Sequence, residues 1–476
     1  MIEKIEAALG VFNQFGNAIL FANINIFSEK VKIPLVIGLL LFGCFYFLFS
    51  LRFAAITKVK YAFKLLLQSG GAHGNEKQGV SSHRALFTSI AGAAGLGHLA
   101  GIPVGILIGG PGVVFWILVV AILCMPLRFA EVYLGHKYRF KDENGVYVGG
   151  PYWYIKNGFA KLGFAKFGGI LALIYGFLLV ISTYGGACSF QVNQATKVVL
   201  SSFNLANEYK YIISGLICAV VGFVVLGGVK RVADYCSSAV MVFMSCYVII
   251  TFIVVIYYHD RFFDTIGMIF SMAFDKYAMY GGAVSVFIAA ATRILFANET
   301  GMGTAPSIHS SSTQESSVKE AFIAMICPII DVVFVCFVTG FMVCLSGSFM
   351  KPGLDGVTMV ADALSGVSPW LGKFLAIATP FVALNVMIAW AYYGTRNVEF
   401  LFKTTKFSKI YIVSFCLVGF IGGVIDSFQL IVDFSNIVCL SIVIPNLIAV
   451  FCMRKEVAKG LESFLLNLKY GKNEQN

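Results

Sequence analysis

The chain has 476 residues, 58% hydrophobic and only 12% charged, with a mean hydropathy of +0.84 and a net charge of +11. That balance excludes a water-soluble fold, which at this length needs far more polar surface. Apolar runs near the roughly 20 residues that a helix needs to cross about 30 Å of hydrocarbon recur along it, so it reads as an all-α polytopic membrane protein; a barrel would show alternating strands of about ten residues.

In chain order, residues 1–31 form a moderately apolar stretch broken by Asn and Gln. It is expected as an interfacial or re-entrant segment, because it lacks the short apolar core and small-residue cleavage site of a signal peptide. Eleven spans follow, at about 32–52, 85–108, 112–135, 167–195, 209–228, 233–258, 279–310, 318–347, 370–395, 410–425 and 430–452. The first is an extra helix, residues 85–258 and 264–452 make two halves of five helices, and 453–476 form a cytoplasmic tail. With the N-terminus outside, cytoplasmic loops hold 24 of the 35 Lys and Arg against 9 in outer loops, with Arg128 and Arg293 inside spans. The expected setting is a plasma membrane, the inner membrane of a bacterium. The positive charge then faces anionic lipid and needs no nucleic-acid partner.

The second span contains GAAGLGHLAG, Gly92 to Gly101, where four glycines and a histidine interrupt an apolar run. Its G-x-G-x-x-A match to a dinucleotide fingerprint has no βαβ context and no acidic residue about 20 positions on, so that reading is rejected. A partner for it stands about two hundred residues later in FANETGMGTAPS, Phe296 to Ser307. The two broken spans are the first and sixth of a ten-helix series, the signature of an inverted-repeat transporter. Irregular backbone at membrane depth is tolerated where it lines a cavity or is buried in protein. Amides freed at the start of a half-helix, over Gly95 to Ala100, suit a substrate carboxylate. Carbonyls freed near Ala94 and Gly97 suit sodium or a substrate ammonium. The bland alternative is that these glycines pack helices together.

The twelve cysteines lie within or beside apolar spans and form no C-x-x-C pair, so they read as small core hydrophobes. H-E-x-x-H, G-x-S-x-G and Walker A patterns are missing, which argues against an enzyme; no covalent cofactor is expected. Arg128 and Glu131, at i and i+3, are expected to pair or snorkel at a helix end. Glu299 inside the second break is a functional candidate by default, with Arg293 as its candidate partner, and Asp331 in the next span invites the same question. Tyr392 and Tyr393 are expected as interfacial anchors, and Trp390 as a wall of a small pocket.

The ordered set GGPGVVFW, RFAEVYLGHKYR, GGPYWYIKNG, VLGGVKRV, FANETGMGTAP, WAYYG and IPNLIAV resembles the alanine or glycine:cation symporters, over about residues 85 to 450. The resemblance implies a LeuT-type fold of five plus five helices with one extra N-terminal helix. It implies uptake of small neutral amino acids coupled to sodium through alternating access. Gln191 and Asn193 match the family's Q-x-N, and the resemblance places Gln191 at the substrate. The residues themselves add Asn193, Gly95, Leu96, Gly97, His98, Gly301, Gly303, Val386 and Trp390 as substrate candidates, and Ala94, Asn298, Glu299 and Asn385 as candidates for the coupling ion. The family pattern G-T-G-N-I-A-G reads Gly95-Leu96-Gly97-His98-Leu99-Ala100-Gly101 here, and Asn385 and Val386 stand where Thr or Ser is usual. With a reference pKa of about 6.5, His98 is read either as a hydrogen-bond partner of the substrate or as a proton-coupling group, which keeps a proton-coupled permease as the alternative.

Overall fold

The computed structural model describes residues 2–25, 32–69, 79–143, 145–275, 283–354 and 356–470. Lys30, Lys77, Lys276 and Lys472, counted among the loop cations, lie outside the described residues, as do parts of the two terminal segments.

A backbone amide or carbonyl facing hydrocarbon must be paired within its own segment, so apolar runs of this length become helices. Among the described residues, seven helices are long and apolar enough to cross a membrane: Val113–Lys137, Ala165–Ser202, Arg231–Tyr257, Ser317–Ser346, Pro369–Phe402, Lys406–Val424 and Gln429–Cys452. A bent pair, Ser82–Ala93 and Leu96–Gly109, turns by 51° and makes an eighth. The other three expected runs are shorter helices: Leu35–Ser50, Tyr209–Val225, and Ala283–Ala297 continuing past a break into Ala305–His309. Two short antiparallel pairs, Asn23–Asn25 with Lys32–Pro34 and Phe140–Lys141 with Tyr147–Val148, are the strands among the described residues.

Apolar side chains face both inward and outward, as a hydrocarbon solvent permits: Phe177, Phe223 and Phe252 are largely exposed. Some ionisable groups are buried as well. His98, Arg128, Glu131, His309, Glu320 and Asp331 are each at most 1% exposed, which away from water requires partners or a function. The N-terminal stretch is a helix, Ile2–Leu20, packed on Phe428–Ser441, with Asn13 Nδ2 donating to the Leu430 carbonyl at 3.0 Å.

The end of the bundle that carries Arg139 is sealed by hydrogen bonds. Glu320 accepts from Ser82 Oγ at 2.6 Å and Ser312 Oγ at 2.9 Å, and its other oxygen meets His309 Nδ1 at 2.5 Å. Arg139 donates to the carbonyls of Ser310, Ser312 and Gln314. The Val80 amide donates to Ser311 O at 2.9 Å, and the Thr313 amide to Val80 O at 2.8 Å.

At the same end the tail forms the helix Arg454–Lys469, which buries Val457, Leu461 and Phe464. Its Glu456 takes Lys137 Nζ at 2.8 Å, Lys161 Nζ at 2.9 Å and the Tyr138 hydroxyl at 2.8 Å. Burial pushes the Glu456 carboxyl up, but these donors outweigh it and hold the group below the ordinary 4.5. A lowered carboxyl contributes its docking energy above the unfolded value and loses it as pH falls through the folded one. The tail helix is therefore expected to stay docked above the ordinary carboxyl value of 4.5 and to loosen as pH falls below it through the lowered folded value. A nitroxide at Lys459→Cys reads this as mobility; a spectrum that never changes on acid titration, until the whole protein unfolds, would refute it.

Candidate functional site

The first break is short. Ala94 leaves the helix at φ −71° and ψ 67°, Gly95 is extended at φ −105° and ψ −169°, and the next half-helix starts at Leu96. The break is confined to Ala94 and Gly95, and Leu96, Gly97, His98 and Ala100 form the start of the following half-helix. The first amides of a helix have no partner within it. That of Leu96 donates to Gln191 Oε1 at 3.2 Å, while Gln191 Nε2 donates to Gly186 O at 3.0 Å. Gly186 belongs to a π-helical turn, Gly185–Ser189, that opens the helix Phe190–Ser202. A Cβ on Gly95 would stand 2.6 Å from Val386 Cγ2 and 3.1 Å from Gln191 Nε2, so glycine is required by close approach.

The second break is longer, from Asn298 to Thr304, and three of its residues take left-handed backbone: Glu299 at φ +56°, Gly301 at +85° and Gly303 at +79°. A non-glycine residue there is strained and persists only where its surroundings hold it. Those surroundings are polar. Arg128 donates to Asn298 O, the Thr300 amide to Asn298 Oδ1 at 3.1 Å, and Tyr175 OH to Met302 O at 2.8 Å. Glu131 Oε1 accepts from the Gly303 amide at 3.0 Å and from Asn446 Nδ2 at 2.6 Å, and Asn446 Nδ2 also reaches Gly301 O at 2.8 Å. Arg128 and Glu131 are therefore not a pair at a helix end: both point into the second break and replace the backbone bonds it has lost.

Between the breaks lies a cavity of about 40 Å³, bordered by Gly97, His98, Gln191, Glu299, Val386 and Trp390, together with Gly92, Ala93, Gly186, Ala187, Ala297, Met302 and Cys439. Glu299 spans it: Oε1 accepts from Trp390 Nε1 at 2.6 Å and Oε2 from Thr304 Oγ1 at 2.6 Å. Trp390 lines the cavity and is also a hydrogen-bond donor at it. Arg293 is not the partner of Glu299; its side chain lies along Gly101 and Gly105 and borders a second cavity of about 430 Å³. That cavity shares Gly97 with the first and reaches Asn17 and Asp433. On the other wall, His98 Nε2 stands 2.7 Å from Asp331 Oδ2.

Several expected residues lie elsewhere. Asn193 donates to Gly422 O at 2.9 Å and Ile425 O at 2.7 Å, tying two helices together. Gly301 abuts Leu40, and Gly303 abuts Asn446 and Tyr175. Leu96 is buried with no exposed surface, and Asn298 is occupied in holding the break. Tyr392 and Tyr393 are 4% and 0% exposed, so they are core residues and not interfacial anchors. Asn385 is buried, and its Oδ1 has no hydrogen-bond partner among the described residues, one residue from the cavity wall at Val386. The sequence reading missed Gly186 and Ala187; the signal was the small-residue run Gly185-Gly186-Ala187 inside an apolar span.

Almost the whole chain, residues 17–476, matches one family, described as the sodium:alanine symporter family. The protein is a member of it. The symporter is similar to the probable sodium/glutamine symporter GlnT of Bacillus subtilis, at 30% identity over 454 residues that cover 94% of this chain and 92% of that one. It is also similar to the sodium/alanine symporter AgcS of Methanococcus maripaludis, at 29% identity over 93% of this chain and 96% of the relative. Its fold matches a crystal structure of MhsT in complex with L-phenylalanine, with a TM-score of 0.58 and 16% identity over 79% of this chain and 89% of that one. The symporter is thus an integral membrane protein of LeuT-type fold that moves amino acids by cation-coupled symport, and not an enzyme.

Proposed function

We propose that the symporter imports small neutral amino acids of the alanine and glycine type with sodium, with its N-terminus outside and its basic, sealed end in the cytoplasm. The observation that carries this is the cavity of about 40 Å³ between the breaks, with Gly or Ala at six of its thirteen lining positions. One water needs roughly 10–15 Å³ by this measure, so the space favours a short side chain. In this reading the halves 85–258 and 264–452 rock about the site. The amide at Gly97 meets the substrate carboxylate, Gln191, which holds the Leu96 amide, and His98 orient it, and Glu299 faces its ammonium or the cation. The free Oδ1 of Asn385 and the carbonyl of Ala94 supply oxygen to sodium, a hard cation. Asn298, Gly301 and Gly303 shape the second break, and Val386 and Trp390 close the pocket.

Proteoliposomes given separate sodium and proton gradients test it. Sodium alone is expected to drive alanine and glycine uptake, with glutamine carried at less than about a tenth of the alanine rate, since each 1.4 kcal/mol of misfit is tenfold. Uptake indifferent to sodium, or glutamine carried as well as alanine, would overturn the proposal.

A further inference from the structure

Near the tail, away from the breaks, lies a cavity of about 310 Å³ between the end of the extra helix Leu35–Ser50, the short helix Ala54–Thr57 and the tail helix Arg454–Lys469. The tail helix lines it with Ala458, Leu461, Glu462, Leu465, Leu466 and Lys469, a spacing of three and four that makes one helical face. Across from them stand Arg52 and Lys58, with the hydroxyl residues Ser50 and Thr57.

The lining is divided between charge and hydrocarbon. Arg52, Lys58 and Lys469 share it with one carboxylate, Glu462, so the described lining carries a net positive charge. Arg52 and Glu462 approach only to 3.7 Å, with side chains 85% and 57% exposed; a pair so exposed contributes little and leaves both groups open to a better partner. The chain leaves the extra helix through Arg52 and Phe53, both left-handed at φ +50° and +58°, and strain of this kind gathers at ligand clamps. Beside the cations the surface is apolar: Phe49 and Phe53 meet edge to face at 5.4 Å, and both are exposed, as are Ile56 and Leu466. The extra helix sets the depth. It is apolar to its last turn, which places Arg52, two residues past Ser50, at the level of lipid headgroups.

We propose that this cavity holds the headgroup of one anionic phospholipid. Its phosphate lies on Arg52, Lys58 and Lys469, the arginine fork matching two phosphate oxygens, and its acyl chains run over Leu466, Phe49 and Phe53. A free anion would use the cations alone and leave the adjoining apolar surface bare; a zwitterionic lipid would bring a second cation to a basic lining. The bound lipid joins the extra helix to the tail helix, whose Phe464 packs on Phe322 with ring centres 6.0 Å apart. The inference stands independently of the substrate reading above.

Thermal unfolding of the purified symporter in detergent tests it, with dioleoylphosphatidylglycerol, dioleoylphosphatidylcholine or sn-glycerol 3-phosphate added at equal concentration. A ligand that binds the folded state alone raises the midpoint, by about 3 °C or more at roughly a hundredfold excess over its Kd. Phosphatidylglycerol should give that rise and the other two should not. The rise should vanish in Arg52→Gln/Lys58→Gln/Lys469→Gln. It should survive in Lys403→Gln/Lys406→Gln/Lys409→Gln, which removes the same charge from three exposed lysines that border no part of this cavity. Lys58→Gln/Lys469→Gln carries the comparison if the first triple variant elutes as aggregate. An equal rise with glycerol phosphate would make this a site for free anions, and an equal rise with phosphatidylcholine would remove the role of charge; either overturns the proposal. So would no rise with any lipid, a rise that persists without the cavity cations, or one lost equally in both triple variants.

Discussion

Replacing Glu299 by Gln is expected to cut sodium-driven alanine uptake by at least about tenfold at equal protein in the membrane. The substitution keeps the size of the side chain. Its carbonyl can still accept from Trp390 Nε1, now 2.6 Å from Oε1, and its amide can donate to Thr304 Oγ1, now 2.6 Å from Oε2. What is lost is the negative charge at the cavity. Hydrogen bonds to charged groups contribute about 1.5–3 kcal/mol against about 0.5–1.5 for neutral ones, and a difference near 1.4 kcal/mol is tenfold. Trp390→Phe provides the contrast: it removes a donor and leaves the charge, so it should reduce uptake less. Full uptake in Glu299→Gln would make the carboxylate a pin for the second break with no part in binding.

Gly95→Ala is expected to weaken alanine binding by about ten- to a hundredfold while the protein still elutes as a folded monodisperse peak. The added Cβ would stand 2.6 Å from Val386 Cγ2 and 3.1 and 3.2 Å from the Gln191 amide. Gln191 cannot yield freely, because it bonds Leu96 N and Gly186 O. Overpacking of this kind costs about 1–3 kcal/mol, and here it falls on the amides offered to the substrate. Gly169→Ala, with nothing within 4 Å of its Cβ, is the neutral control. Wild-type affinity in Gly95→Ala would remove the first break from the binding site.

The spans and both breaks were legible because hydropathy and glycine clusters are local properties. The two Gly-rich segments sit where the helices are interrupted, and His98, Gln191, Glu299, Val386 and Trp390 do meet at one cavity. What the sequence could not carry was which face of a helix points where. Arg128 and Glu131 looked like a terminal pair because their partners, Asn298, Gly303 and Asn446, are 170 to 315 positions away. The same limit made Tyr392 and Tyr393 resemble surface anchors, although the helix Pro369–Phe402 buries them. Glycine density did not give the length of the first break. Two residues suffice for the 51° bend, and the remaining glycines let neighbours come close. Asp331 drew suspicion as a charge in a span, but its contact with His98 spans 233 positions and has no local trace.

The sealed end has a thermal consequence for the carrier. Opening there must hand the three contacts of Glu320 and the three carbonyl bonds of Arg139 to water. Breaking many ordered polar contacts at once is an enthalpic barrier, and such barriers slow steeply on cooling. If the halves rock as proposed, a chilled population is expected to accumulate with its basic end shut.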